Sequence, residues 1–275
     1  MEVATVQLLD DVRVVSLAIN LPGPLAAARL AEFGASVTKV EPPSGDPLAA
    51  GAPDWYQHLI RQQSVINLDI KAERAKLDAL LADADLLITS MRPSALKRLG
   101  LSRPQETVPR LCLIEIVGHD GNRADVPGHD LNYQAVHGTL SPPAMPKVPI
   151  ADMLGAERAV CTALAALHAR NKTGAGASYR VVLEEAAQRA GDAVRHGIMG
   201  DGAMLGGAFP GYGIYESADG YVALGAVEPH FFARTLETFG VDGTHEEMQK
   251  AFAEKTTAEL EDIAAQADIP LNGVK

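Results

Sequence analysis

Apolar residues follow two alternating patterns along the chain. Short β-branched runs are separated by alanine- and leucine-rich stretches with the three/four spacing of a buried helix face. The first run is Val12-Arg13-Val14-Val15-Ser16-Leu17-Ala18, flanked by acids and then by Asn20-Leu21-Pro22-Gly23-Pro24, which predicts a strand and a turn. Residues 25–33 predict a helix that stops at Gly34, and residues 36–41 a second strand closed by Pro42-Pro43. A strand–helix–strand unit of this length implies parallel pairing through a right-handed crossover. The theme recurs, with strands predicted at 64–70, 85–90, 111–117 and 179–183. Helices are predicted at 73–81, 153–170 and from Glu184. Residues 1–196 therefore read as an α/β domain with an open, Rossmann-like parallel sheet.

The pattern changes at Gly197. Seven glycines between 197 and 213 discourage a regular element, and a hairpin follows, with strands at 212–215 and 221–226 around the Asp219-Gly220 turn. Three helical patterns complete the chain: one opened by Glu228-Pro229 and ended by Gly240, then 245–255 and 257–267. Residues 197–275 read as a smaller α+β domain.

Charge and composition narrow the function classes. A net charge of -11 argues against nucleic acid as the main partner. The helix pattern 153–170 carries Glu157 and Arg158, so it reads as a core helix and no membrane association is expected. The N-terminus has no signal-peptide pattern, and Cys112 and Cys161 read as reduced core residues with no metal spacing, so a cytoplasmic location is expected. The first turn holds one glycine instead of the GxGxxG fingerprint, which disfavours a nicotinamide cofactor.

Three carboxylates precede helical patterns: Asp130 in Gly128-His129-Asp130, Asp152 and Glu228. Each has the bland reading of a helix-start acid. With His129 brought beside them in a cleft, they would form proton-transfer equipment. Basic residues gather near strand ends at Lys39, Arg61, Lys71, Arg92 and Arg98, where open α/β sheets bind ligands, although each alone reads equally as a surface charge.

The order of short motifs resembles the family III CoA-transferase superfamily, which includes the α-methylacyl-CoA racemases. The matching segments include Leu21-Pro22-Gly23-Pro24, Gly34 through Pro43, Asn67-Leu68-Asp69-Ile70-Lys71, Arg92-Pro93, Gly128-His129-Asp130, Ala151-Asp152 and Gly225 through Pro229. The segment Gly128 to Tyr133 fits the Gly-His-Asp-x-Asn-Tyr form of the racemase branch. The resemblance implies His129 and Asp152 as the two bases of an acyl-CoA racemase, with Glu228 orienting His129. Asp130, an acid before a helical pattern, reads beside them as a capping and orienting residue. CoA contacts would fall on Lys39, Leu68, Lys71, Arg92 and Arg98. No metal or redox cofactor is implied, because coenzyme A arrives as part of the acyl-CoA substrate. Backbone N–H groups after Asp152 are expected to hold the enolate oxygen. Two alternatives remain: a CoA transferase using Asp152 as nucleophile, and a catalytically weak CoA-thioester binding protein. Bulky Met153 and Leu154, where the family carries glycines, are expected to narrow the acyl site. The chain also stops before the family's usual C-terminal return segment. A homodimer is expected, with interlocking of its subunits left open.

Overall fold

Six strands form one parallel sheet: β1 Arg13–Ser16, β2 Ser36–Glu41, β3 Gln63–Asn67, β4 Leu86–Thr89, β5 Cys112–Val117 and β6 Ser178–Val182, in the order β3-β2-β1-β4-β5-β6. This doubly wound order reverses direction between β1 and β4, which creates a crevice beyond the carboxyl ends of those strands. The computed structural model describes residues 7–275, which divide into one unit ending at Gly191 and a second comprising Asp192–Lys275.

Both faces of the central strands are apolar because both are covered by helices. Val14, Ile88, Cys112 and Ile114 pack under the helices Pro22–Glu32 and Ile150–Thr173. Val15, Leu87 and Leu113 alternate to the other face and meet Leu77, Leu81 and Leu96. The two long helices are rich in alanine where they pack on the sheet, with Ala26, Ala27, Ala31, Ala156, Ala159 and Ala163 in the core. Small side chains leave room for close helix–helix approach. The first of these helices begins three residues before the expected start, because its prolines occupy the first-turn positions where a missing N–H costs nothing.

In the second unit, β7 Tyr212–Glu216, β8 Tyr221–Gly225 and β9 Leu271–Gly273 form an antiparallel sheet in that order. Met248, Phe252, Leu260 and Ala264 of its helices cover that sheet. The third strand was not anticipated: Leu271-Asn272-Gly273 has no strand pattern, and its pairing to β8 is a tertiary event. The expected boundary after residue 196 also differs from the observed division. The glycine content changes at 197, but the short helix Asp192–Arg195 bonds forward, with Ile198 and Met199 both donating to the Ala193 carbonyl. Cys112 is buried as expected; Cys161 is exposed, because it faces away from the sheet on its helix.

Candidate active site at the carboxyl ends of the sheet

The loops leaving β1 to β5 enclose a cavity of about 600 Å³ within the first unit. Leu17, Ile19 and Asn20 follow β1, Pro42 and Pro43 follow β2, and Leu68 through Lys71 follow β3. Ser90, Met91 and Arg92 follow β4, and Gly118 follows β5. The wall also includes Pro127, Gly128, His129, Tyr133, Asp152 and Leu183, with Glu41 at the end of β2. The cavity therefore brings together five of the residues singled out from the sequence: Leu68, Lys71, Arg92, His129 and Asp152.

Glycine is required in the Gly-His-Asp segment by what lies behind it. A Cβ at Gly128 would stand 2.7 Å from Cε1 of Tyr133, and one at Gly118 would stand 2.2 Å from its hydroxyl oxygen. Tyr133 is buried and meets the His119 ring edge-on at 5.2 Å. His119 is itself fixed by Glu184, its Nδ1 lying 2.7 Å from Oε2, and Arg123 donates to the same carboxylate at 3.0 Å. Burial opposes the charge on Glu184, but the hydrogen bonds from His119 and Arg123 hold its carboxyl below the usual range. Tyr133 and this support behind it were missed in the sequence, where only the Gly-x-x-x-x-Tyr spacing hinted that a ring would pack on a glycine.

His129 stands at the start of the helix Asp130–Ala135 on extended backbone and is exposed to the cavity side, its N–H bonded to Asn132 Oδ1 at 3.0 Å. Asp130 does not cap its own helix. Its Oδ1 accepts from the N–H groups of Ala151 at 2.7 Å and Asp152 at 3.1 Å, so it caps the helix Ile150–Thr173 from outside. Its Oδ2 accepts from Gln134 Nε2 at 2.6 Å. The N–H groups after Asp152, expected to hold an enolate, do not open the helix: that of Met153 already donates to the Pro149 carbonyl at 3.0 Å, and those of Ala151 and Asp152 before it are taken by Asp130. Asp152 lines the cavity half-buried. Burial first, and the neighbouring Asp130 charge second, push its carboxyl up to about 7.

Lys39 lies elsewhere. It is fully buried beneath the loops, with Nζ 2.7 Å from Asp46 Oδ2, 3.0 Å from the Ala18 carbonyl and 3.5 Å from Glu41 Oε1. It does not reach the cavity wall, because position 39 points inward in the central strand β2. Arg98 is exposed at the end of the helix Pro93–Arg98 and also outside the wall, while Arg61 pairs with Glu32 on the surface. Hydrogen bonds from Ser94 hold Asp125 below its ordinary range, assisted by the charges of Arg92 and Arg98. Met153 and Leu154 are exposed and take no part in the cavity wall, so the expected narrowing does not occur there. Gly155 is retained where its Cβ would meet Leu183 Cδ2 at 2.3 Å. In the second unit, Glu228 is exposed at the start of the helix Pro229–Phe239, and its side chain makes no capping hydrogen bond.

The chain matches the profile of CoA-transferase family III over residues 9–275. It is 30% identical to human α-methylacyl-CoA racemase over 288 residues, covering 91% of this chain and 73% of that protein. It is 33% identical over 189 residues to the succinyl-CoA–D-citramalate CoA-transferase of Chloroflexus aurantiacus, covering 61% of this chain and 47% of that one. The chain thus spans about half the length of the latter relative. A CAIB/BAIF family protein from Brucella suis superposes with a TM-score of 0.81 at 22% identity, covering 96% of this chain and 83% of that one. Among the described residues, no helix is long and apolar enough to cross a membrane.

Proposed function

The chain belongs to CoA-transferase family III, and on that premise we propose that it is an acyl-CoA racemase or epimerase acting on a 2-methyl-branched thioester. The observation that carries this reading is the presence of His129 and Asp152 in the wall of one cavity, with the Asp152 carboxyl pushed up to about 7. Inversion at a carbon α to a thioester needs a base on one face and an acid on the other. The His129 imidazole takes the α-proton, electron density moves into the thioester carbonyl to give an enolate, and protonated Asp152 returns a proton to the opposite face. The opposite enantiomer uses the same two groups with their roles exchanged. A carboxyl poised near neutrality occupies both protonation states at working pH, which this reversal requires. A nucleophilic carboxylate, as a transferase would use, is better served by full ionisation.

Leu68, Lys71 and Arg92 line the same cavity and would meet the CoA portion, with Arg92 and Lys71 suited to phosphate oxygens. Lys39 supports that region from below without contacting it. Arg98 would act at longer range, outside the wall. Glu228 keeps its role of orienting an imidazole, and the homodimer its place in the reading, on the family motif alone.

Incubation with branched acyl-CoA esters in D2O tests the proposal. Deuterium should enter the α-carbon without any acceptor acid, and His129→Ala should abolish its entry. CoA transfer to a free carboxylate without label uptake would establish the transferase reading instead. Binding with neither reaction would leave a thioester-binding protein.

A further inference from the structure

The two proposed proton carriers are separated in sequence by an irregular link. Residues 136–149 form neither helix nor strand between the helices Asp130–Ala135 and Ile150–Thr173. Something else must hold Asp152 at a set distance from His129. The residue bonded in sequence to His129 does so in space: Asp130 Oδ1 grips the N–H groups of Ala151 and Asp152 together. Gln134, itself buried, completes the fastening. Its Nε2 donates both to Asp130 Oδ2 and, at 3.2 Å, to the Val148 carbonyl, while Thr139 donates to its Oε1 at 3.1 Å.

We propose that Asp130 is the positioning residue of this site, its carboxylate clasping the first turn of the Asp152 helix so that one side chain fixes the spacing of the two proton carriers and sets a negative charge beside Asp152. This rests on the racemase reading only for its catalytic consequence; the clasp itself is a matter of hydrogen bonds. A helix displaced along its axis would have to break the two bonds to Oδ1. The same carboxylate places a negative charge beside Asp152, favouring its protonated form. The other titratable groups facing Asp152 across the cavity are His129, Tyr133, Glu41, Asp69, Lys71 and Arg92, with Glu184 and His119 behind Tyr133. Asp130 alone among them bonds to the Asp152 backbone.

The test uses the full chain and two substitutions. Asp130→Asn keeps an acceptor for the two amides and removes the charge, giving up only the Gln134 bond to Oδ2, while Gln134 keeps its bonds to Val148 and Thr139. Asp130→Ala removes both. By carboxyl-resolved NMR, with Asp152 assigned through Asp152→Asn, the titration midpoint should fall by about one pH unit in Asp130→Asn. Amide hydrogen exchange at Ala151 and Asp152 should rise about tenfold in Asp130→Ala, with the last turns of the helix unchanged. In the α-proton exchange assay, Asp130→Ala should lower kcat about 100-fold at nearly constant KM. In Asp130→Asn the descending limb of the pH profile should move to lower pH. An unmoved midpoint in Asp130→Asn, or unchanged protection at Ala151 and Asp152 in Asp130→Ala, overturns the proposal. If Asp130→Ala does not fold, the Asp130→Asn midpoint decides. Absence of α-proton exchange in the unsubstituted protein would overturn the catalytic reading, while the NMR and amide measurements still judge the clasp.

Discussion

Asp46 and Asp152 are carboxylates withdrawn from water in the same unit, and their surroundings treat them in opposite ways. Asp46 is buried and meets the Lys39 ammonium at 2.7 Å, while its other oxygen accepts from the N–H groups of Asn20 and Leu48 at 2.9 Å. Glu41 joins the same lysine and accepts a hydrogen bond from Tyr56 at 2.6 Å. Burial first, and that bond to the acid second, hold the Tyr56 hydroxyl well above its usual range. Every member of this cluster has a partner. It fastens the turns after β1 and β2, including Asn20, which stands in left-handed backbone with φ 70° on the cavity wall. Among the described residues Asp152 forms no ion pair with a cation, and the charge that acts on its carboxyl is that of another acid, Asp130. A buried acid that is fully paired serves as structure, whereas one left unpaired beside a cavity is available to exchange a proton.

The comparison breaks most visibly at Asp152. Asp152→Asn should reduce α-proton exchange about 1000-fold, because the proposed general acid is lost while the cavity shape is kept; a fall of less than tenfold, measured under saturating acyl-CoA, would remove it from the chemistry. Lys39→Met should cost about 3–5 kcal/mol in denaturant unfolding, since it strands two buried acids without a cation. If Lys39→Met instead weakened CoA binding at full stability, Lys39 would be a ligand contact after all. A smaller effect concerns stability against pH. The Asp152 carboxyl binds a proton more tightly folded than unfolded, so stability falls as pH rises from its ordinary 3.8 through about 7. Asp152→Asn should therefore be more stable than the parent at pH 8 by about 2 kcal/mol, partial exposure screening some of the effect, with the gap closing near pH 4. Thermal melts across that range would show it. Tyr56→Phe should cost about 1–2 kcal/mol by leaving one Glu41 oxygen without its hydroxyl donor, and calorimetry at neutral pH resolves that amount.

The sheet was readable in advance because strands covered on both faces become short apolar runs, and the helices between them keep their own period. Strand ends were accurate to a residue or two at β2, β4 and β5. Strand β9 was not readable, since three residues without alternation pair only when β8 is already in place. At the site, His129, Asp152, Leu68, Lys71 and Arg92 were legible because they fall in motifs at strand and helix ends, where side chains face a crevice. Lys39 was misplaced for a local reason. A lysine near the end of a strand looks like a surface cation until the loops above it supply two acids and bury it.

By itself the sequence determined the alternation of strands and helices, the position of the crevice at their carboxyl ends and the residue types available for proton transfer. These depend on local periodicity and on motif order, which a linear chain carries. Tertiary structure alone decided that Asp130 would cap a helix beginning twenty residues later, that Tyr133 would need two glycines beneath it, and that Asp152 would keep its proton to about 7. Each of these depends on distances across the fold and on how far water is excluded, and neither quantity exists before the elements pack.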